Sequence, residues 1–313
     1  MKKLITIITP CFNEEKCIEK CYLEIKNLFK NKLSNYDYEH IFADNNSSDN
    51  TIAILKKICT IDDKVKLIIN SRNFGVFKST FNAISYSKGN AVIPMYDADL
   101  QDPAELIIDF IKYWEKGFKV VAGSRSDRFE NFFMKNIRRI YYRIIKIFST
   151  IDIYNDVGEY QLVDREIINS LLKFNDHNPY IRGMIASIGF DTKIIKYKHQ
   201  KRIAGKSKFN IFQYFDIFLN GLISFSHLPM RVSIYIGFLI SLTSIGYSIY
   251  LFCSSLFYGN IPDSPGIMTL LVGSFFLLGI ILFFLGILGE YMSAIHSQVR
   301  KGPMVIEKEK INF

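Results

Sequence analysis

The sequence predicts an α/β protein, a mostly parallel sheet with flanking helices, followed by two C-terminal transmembrane helices. Three observations carry this expectation. Short apolar runs alternate with helical patterns from the N-terminus, polar loops fall where those runs end, and two long uncharged stretches occupy the last third of the chain. Alternation of this kind gives a sheet covered on both faces, and such sheets bind ligands at the carboxyl edge of their strands.

In chain order, Leu4–Thr9, Glu39–Ala43, Lys66–Ile69, Ala91–Met95 and Val120–Ala122 read as strands. Glu14–Phe29, Thr51–Ile58, Val76–Ser87 and Ala104–Glu115 read as the helices between them. The opening MKKLITIITP carries two lysines and a brief apolar run, but Pro10 and Asn13-Glu14-Glu15 interrupt it. It reads as a first strand, not a signal peptide. Asp102-Pro103 has the form of a helix start, with Asp102 as N-cap and Pro103 at the first helical position.

Val232–Tyr258 and Ile267–Gly289 lack charged side chains, and each is long enough to cross roughly 30 Å of hydrocarbon. The connecting Gly259–Gly266 holds Asp263 and no Lys or Arg, whereas Arg231 precedes the first span and Arg300 and Lys301 follow the second. The positive-inside rule then places both termini in the cytoplasm. The expected organisation is a soluble domain over 1–209, an interfacial helix over 210–230, a two-span anchor over 231–291 and a cytosolic tail over 292–313.

A formal charge of +9 and a pI near 9.1 call for an anionic partner. Phe129–Ile151 interleaves Lys135, Arg138, Arg139, Arg143 and Lys146 with aromatic and aliphatic residues, and Ile211–Leu228 is apolar with few charges. Both suit helices at an anionic lipid surface, or else ordinary helices packed on the sheet. With two spans in the chain, lipid is a better partner than nucleic acid. Five cysteines form no C-x-x-C pair, which argues against a zinc site or a disulfide framework.

Three polar loops converge on the carboxyl edge: Pro10–Glu14, Asp44–Asp49 and Asp97–Asp102. Asp97 and Asp99, spaced i, i+2 after a buried strand, can hold a hard divalent cation against a diphosphate, with Gln101 as a further oxygen ligand. Asp97 can instead meet a ribose. Ser47 and Asp49 read as turn and cap residues for the next helix, and Asn73 and Gly75 as a tight turn or a close backbone approach to a ligand. Neither a G-x-G-x-x-G fingerprint nor a Walker loop is present, which weakens a dinucleotide or ATP reading.

Several of these motifs carry a resemblance. Pro10-Cys11-Phe12-Asn13-Glu14, Asp44-Asn45-Asn46-Ser47-Ser48-Asp49 and Asp97-Ala98-Asp99 resemble the opening, nucleotide loop and metal motif of family 2 glycosyltransferases of GT-A fold. Asn73-Phe74-Gly75, the extended DADLQDP, Gly123-Ser124-Arg125, Asp156-Val157-Gly158 and Arg202…Gly205-Lys206-Ser207-Lys208-Phe209 are similar to the polyprenyl-phosphate glycosyltransferases among them. The resemblance implies transfer of a sugar from a nucleotide-sugar donor, expected to be UDP-linked, to a polyprenyl phosphate such as undecaprenyl phosphate at the bacterial inner membrane. It implies Mg2+ or Mn2+ at Asp97, Asp99 and Gln101, and a donor site of Pro10, Asn13, Glu14, Asp44, Asn73 and Asp97. It further implies phosphate and acceptor contacts from Arg125, Arg202, Ser207 and Lys208, with Asp99 and Asp156 as catalytic residues. Asp156 stands as a base, an orienting group or a simple cap. A homo-oligomer stays open, as do a hydroxyl acceptor and a non-catalytic membrane scaffold. The chain departs from the pattern at Asn45-Asn46, Glu159-Tyr160, Gln161 and Lys206, positions that bear on which sugar is carried.

Overall fold

A computed structural model describes residues 2–125, 157–174, 176–198, 228–258, 266–300 and 302–313. The first five strands are β1 (Leu4–Cys11), β2 (Asp37–Asp44), β3 (Val65–Asn70), β4 (Ala91–Ile93) and β5 (Val120–Arg125). Between them lie α1 (Ile18–Asn31), α2 (Thr51–Ile61), α3 (Val76–Ser85) and α4 (Leu106–Glu115). Then follow β6 (Val157–Asp164), α5 (Arg165–Leu171), α6 (Ile181–Ser187), β7 (Thr192–Tyr197), α7 (Leu228–Tyr258), α8 (Gly266–Val299) and β8 (Glu307–Ile311).

The strands form one sheet in the order β7-β5-β6-β4-β1-β2-β3-β8. β1 pairs in parallel with β2 and β4, β2 with β3, and β5 with β7, while β6 runs antiparallel to both β4 and β5. Both faces are covered because the central strands are apolar on both sides. Ile5 and Ile7 of β1 and Phe42 of β2 pack with Ile18, Ile25, Leu55 and Phe110 from α1, α2 and α4. Ile8, Ile41 and Ala43 face the other way, onto Phe81 and Ile84 of α3 and Ile167, Ile168 and Met184 of α5 and α6. α1 follows the helical period, burying Ile18, Cys21, Tyr22, Ile25, Leu28 and Phe29 on one stripe.

The expected first five strands and four helices are present, with shifted ends. β4 stops at Ile93, not Met95. α4 begins at Leu106, with Glu105 at its N-cap position, so Asp102 is not a cap and Pro103 is not in the first turn. Asp102 is instead 2 % exposed and bound to side chains of other strands, a stronger claim on a buried carboxylate than an exposed helix end.

The region over 292–313 was expected to be a separate tail. Its last strand, β8, pairs antiparallel with β3 and closes that edge of the sheet. Its sequence, Glu307-Lys308-Glu309-Lys310-Ile311, shows no apolar run, and charge on an edge strand blocks further strand addition. Lys56 to Glu309 (2.6 Å) and Asn82 to Glu307 (2.7 Å) fasten it to α2 and α3.

The chain divides into two compact units: the sheet with its helices and β8, and a second unit that holds α7 and α8. Both stretches expected to span the membrane are helical. Among the described residues one helix, Gly273–Val299 within α8, is long and apolar enough to cross a bilayer, at 27 residues or about 40 Å. The apolar stretch of α7, Val232–Tyr247, is shorter. Phe275, Phe276, Leu282 and Phe283 of α8 are exposed, as are Ile234, Tyr235 and Phe238 of α7. The basic segment Phe129–Ile151 and positions 211–227 of the interfacial segment lie outside the described residues.

His40, in the middle of β2, is fully buried, with Nε2 2.9 Å from the Thr9 hydroxyl and its ring 4.0 Å from that of Phe42. Burial pushes its pKa down to about 3. The unfolded chain takes up this proton near pH 6.5 and the folded chain does not, so the stability associated with neutral His40 is present above that pH and is lost as pH falls toward 3. At pH 5 the loss is about 2 kcal/mol. Replacing His40 with Gln, which keeps a partner for Thr9, is therefore expected to flatten the decline in denaturation midpoint between pH 7 and pH 5, measured on the detergent-solubilised chain.

Candidate active site

The carboxyl ends of β1, β2, β3 and β4 meet at one edge, and their loops are tied together by side chains. Asp44, the last residue of β2, is fully buried. Its Oδ1 accepts the Ser47 amide (2.8 Å) and its Oδ2 accepts the Ser47 hydroxyl (2.5 Å). Burial raises the Asp44 pKa, and the Ser47 hydrogen bonds oppose that rise. Ser47 Oγ in turn accepts the Asn13 amide (2.8 Å), and Asn13 Oδ1 accepts the Ser48 amide (2.8 Å). The Glu14 amide donates to Thr51 Oγ1 (2.8 Å). Asn50, not Asp49, stands at the N-cap position of α2, with no side-chain cap; Asp49, one residue earlier, accepts the Thr51 amide (3.0 Å) and hydroxyl (2.5 Å), and Ser47 serves Asp44.

Asn45 joins this pair of loops to the third. Its Oδ1 accepts from Asn70 Nδ2 (3.0 Å) at the end of β3 and from the Phe74 amide (3.4 Å). Asn73 Oδ1 accepts the Gly75 amide (2.9 Å), an Asx-type turn that leaves Gly75 at φ +89° as the entry to α3. Asn46 stands at φ +63° and Asn13 at +56°, conformations that Asn tolerates and larger side chains resist. The Asn45-Asn46 pair therefore supplies both a cross-loop acceptor and a left-handed turn residue.

After β4 the chain turns through the acidic loop. The Asp99 carboxylate accepts the Gln101 amide (3.2 Å), and Leu100 between them is buried at φ +60°. A leucine in that region costs on the order of 1–3 kcal/mol, and strain of this kind collects at functional loops. Asp99 is buried, while Asp97 is about one-third exposed.

Arg125 reaches this loop from the end of β5. One Nη lies 3.5 Å from Asp97 Oδ2 and 3.3 Å from Asp102 Oδ2. Its Nε donates to the Tyr197 hydroxyl (3.1 Å), which donates to Asp102 Oδ1 (2.5 Å). Burial works against the guanidinium charge, but Asp102 and Tyr197 more than offset it and hold its pKa above the ordinary value. Glu159 of β6 is raised by burial, against the pull of Arg182 and Arg125. Arg182 of α6 lies 3.9 Å from Glu159 and donates to the Val157 carbonyl (2.5 Å).

The structure thus brings Pro10, Asn13, Glu14, Asp44, Asn73, Asp97, Asp99, Gln101 and Arg125 to one sheet edge. Asp156, Arg202, Ser207 and Lys208 lie outside the described residues. The sequence reads Asp102 as a helix cap at the end of the acidic loop and carries no sign of its pairing with Arg125 and Tyr197. Tyr197 ends a strand with no motif of its own.

An oxygen-only donor pair, Asp97 and Asp99, with Gln101 adjacent, fits a hard divalent cation. Among the described residues no group of three or more His, Cys, Asp and Glu is placed to hold a metal. Two carboxylates suffice where waters and substrate oxygens complete the shell, as magnesium prefers.

Residues 6–172, more than half of the chain, match the model of glycosyl transferase family 2. The chain is 36 % identical over 306 residues to the putative glycosyltransferase CsbB of Bacillus subtilis (strain 168), covering 98 % of this chain and 92 % of that protein. It is 33 % identical over 302 residues to the uncharacterized glycosyltransferase YkcC of the same strain, covering 96 % and 92 %. It is also 33 % identical over 306 residues to the SfII prophage-derived bactoprenol glucosyl transferase of Shigella flexneri, covering 97 % of both chains. By this family match and these relatives, the chain belongs to glycosyl transferase family 2 and is a glycosyltransferase.

Proposed function

We propose that the chain transfers one sugar from a nucleotide donor, a UDP-hexose or UDP-N-acetylhexosamine, to undecaprenyl phosphate, releasing UDP and inverting the anomeric centre. The product is a lipid-linked monosaccharide for modification of a cell-envelope glycan or lipopolysaccharide. One observation carries this reading: an acidic loop suited to a cation stands beside an anchored guanidinium suited to phosphate, at the edge that also holds the buried Asp44 loop. Similarity to a bactoprenol glucosyl transferase over nearly the whole chain supports the lipid phosphate as acceptor.

In this reading the loop organised by Asp44 takes the base or ribose, with Pro10, Asn13 and Glu14 lining the pocket and Asn73 bringing backbone close to the nucleotide. Asp97, Asp99 and Gln101 hold Mg2+ or Mn2+. The cation supplies neutralisation of charge on the departing nucleoside diphosphate. Arg125, Arg202, Ser207 and Lys208 hold phosphate oxygens, the arginines through the two-pronged contact that a planar guanidinium makes. A phosphomonoester with a second pKa near 6 is largely dianionic at neutral pH, so Asp156 orients the acceptor more than it deprotonates it.

The catalytic unit, 1–209 with β8 added to its edge, stands on the cytoplasmic face of the bacterial inner membrane. Residues 210–230 lie at the interface, and α7 and α8 form a two-span anchor with both chain termini cytoplasmic. Exposed aromatic and aliphatic side chains along α7 and α8 support burial in lipid.

The test is the purified chain with undecaprenyl phosphate and a panel of UDP- and GDP-sugars, the lipid product being weighed by mass spectrometry. Asp99→Ala is expected to remove transfer while thermal unfolding stays near that of the native chain, and EDTA is expected to stop the reaction; full turnover in EDTA would exclude the cation. Arg202→Ala is expected to slow transfer by one to two orders of magnitude, because charge-assisted hydrogen bonds to phosphate contribute about 1.5–3 kcal/mol each. The dephosphorylated lipid alcohol is expected to be inert. Equal rates with the alcohol would make a hydroxyl the acceptor and Asp156 its general base.

A further inference from the structure

Arg125 is held by groups of two kinds. Asp102, 2 % exposed, and the Tyr197 hydroxyl grip it from inside, through Nη at 3.3 and 3.4 Å and Nε at 3.1 Å. Tyr197 can reach this position because β5 carries Gly123 beneath its ring: a Cβ there would lie 2.8 Å from Tyr197 Cε1. The inner grip is therefore built into β5, β7 and the loop after β4. The outer contact differs chiefly in exposure: Asp97 is about one-third exposed where Asp102 is buried, and its Oδ2 lies 3.5 Å from Nη. Asp97 is also one of the two carboxylates suited to a cation. A guanidinium and a divalent cation compete for the same oxygen.

We propose that Arg125 is an internal stand-in for the divalent cation: without ligand its guanidinium bridges Asp97 to the buried Asp102, and cation binding takes over Asp97, freeing that face of the guanidinium for phosphate. Asp102 and Tyr197 are positioning residues that keep Arg125 in place through the exchange. The stand-in neutralises the acidic loop before substrate arrives, and it couples the two binding events, because phosphate gains its arginine only once the cation has claimed Asp97. The inference rests on the reading of Asp97 as a cation ligand.

The experiment is a titration of the full-length, detergent-solubilised chain with Mn2+ in the absence of nucleotide, free Mn2+ being followed by electron paramagnetic resonance. Arg125→Gln is expected to bind Mn2+ roughly tenfold more tightly than the native chain, the factor for losing one competing charge contact. Inorganic pyrophosphate supplies the second readout, without metal. Asp97→Asn, which releases the guanidinium, is expected to bind it more tightly than the native chain, and Asp97→Asn with Arg125→Gln to lose that gain. Should Arg125→Gln alone fail to fold because Asp102 is left buried and unpaired, Arg125→Gln with Asp102→Asn carries the Mn2+ test, since both halves of the buried pair are then removed. Equal or weaker Mn2+ binding by the arginine variant, with the native chain still binding, overturns the stand-in and leaves the cation reading intact. Absence of Mn2+ binding in every form overturns both.

Discussion

The constraint on which the β1–β3 edge of the fold depends is the burial of the Asp44 carboxylate at the tip of β2. A carboxylate taken out of water must be hydrogen-bonded, or its cost exceeds what nearby packing can offset. Ser47 meets that requirement twice, with its amide and its hydroxyl, and to do so the chain must turn back immediately after the strand. The turn puts Asn46 in the left-handed region and presents Ser47 Oγ to the Asn13 amide. The β1 loop is thereby fixed by the β2 loop. Asn45 extends the same dependence to β3 and the Phe74–Gly75 turn, so three loops share one network and none is placed by its own sequence alone.

The acidic loop after β4 is organised by charge. Its partners come from β5 and β7, strands on the far side of the antiparallel β6. That reversal has a physical use. β6 pairs with β4 and β5 at once, which carries β5 outward far enough for Arg125 at its end to face Asp97 and Asp102 across the sheet edge. β7, parallel to β5, then brings Tyr197 alongside Arg125 in the same register. The mixed topology thus places one cation opposite two acids.

These arrangements differ in how far the sequence discloses them. The central strands were legible because they are buried on both faces and so read as continuous apolar runs bounded by polar loops. The place of Asp97, Asp99 and Asp44 at the sheet edge was legible because these polar residues stand directly at or after the ends of the apolar runs. The role of Asp102 was hidden: Asp before Pro has the local form of a helix start, and only the pairing of β5 and β7 supplies partners that outcompete that local preference. β6 alternates only briefly, over Glu159-Tyr160-Gln161-Leu162, and β7 has just Ile194 and Ile195 between Lys193 and Lys196, so neither shows the longer apolar run that marks the central strands. β8 is nearly all charge, since an edge strand has one neighbour and is selected for what it repels. Its place depends on β3, about 240 residues earlier in the chain, a relation that no local pattern carries.

The two ends of the site therefore hold their shape in different ways, and the difference fits the two demands of the proposed reaction. Nucleotide recognition calls for a surface that does not reorganise, and the Asp44–Ser47–Asn13 and Asn45–Asn70 contacts are hydrogen bonds inside the protein, satisfied before any ligand arrives. Group transfer calls for charges that change partners as a diphosphate leaves and a phosphate is brought in. A contact between a partly exposed carboxylate and a guanidinium at 3.5 Å is weak enough to be exchanged, whereas the buried Asp102 contact behind it is not. A rigid hydrogen-bonded network and an exchangeable ionic one, side by side on one sheet edge, allow recognition to stay fixed while the charge distribution moves.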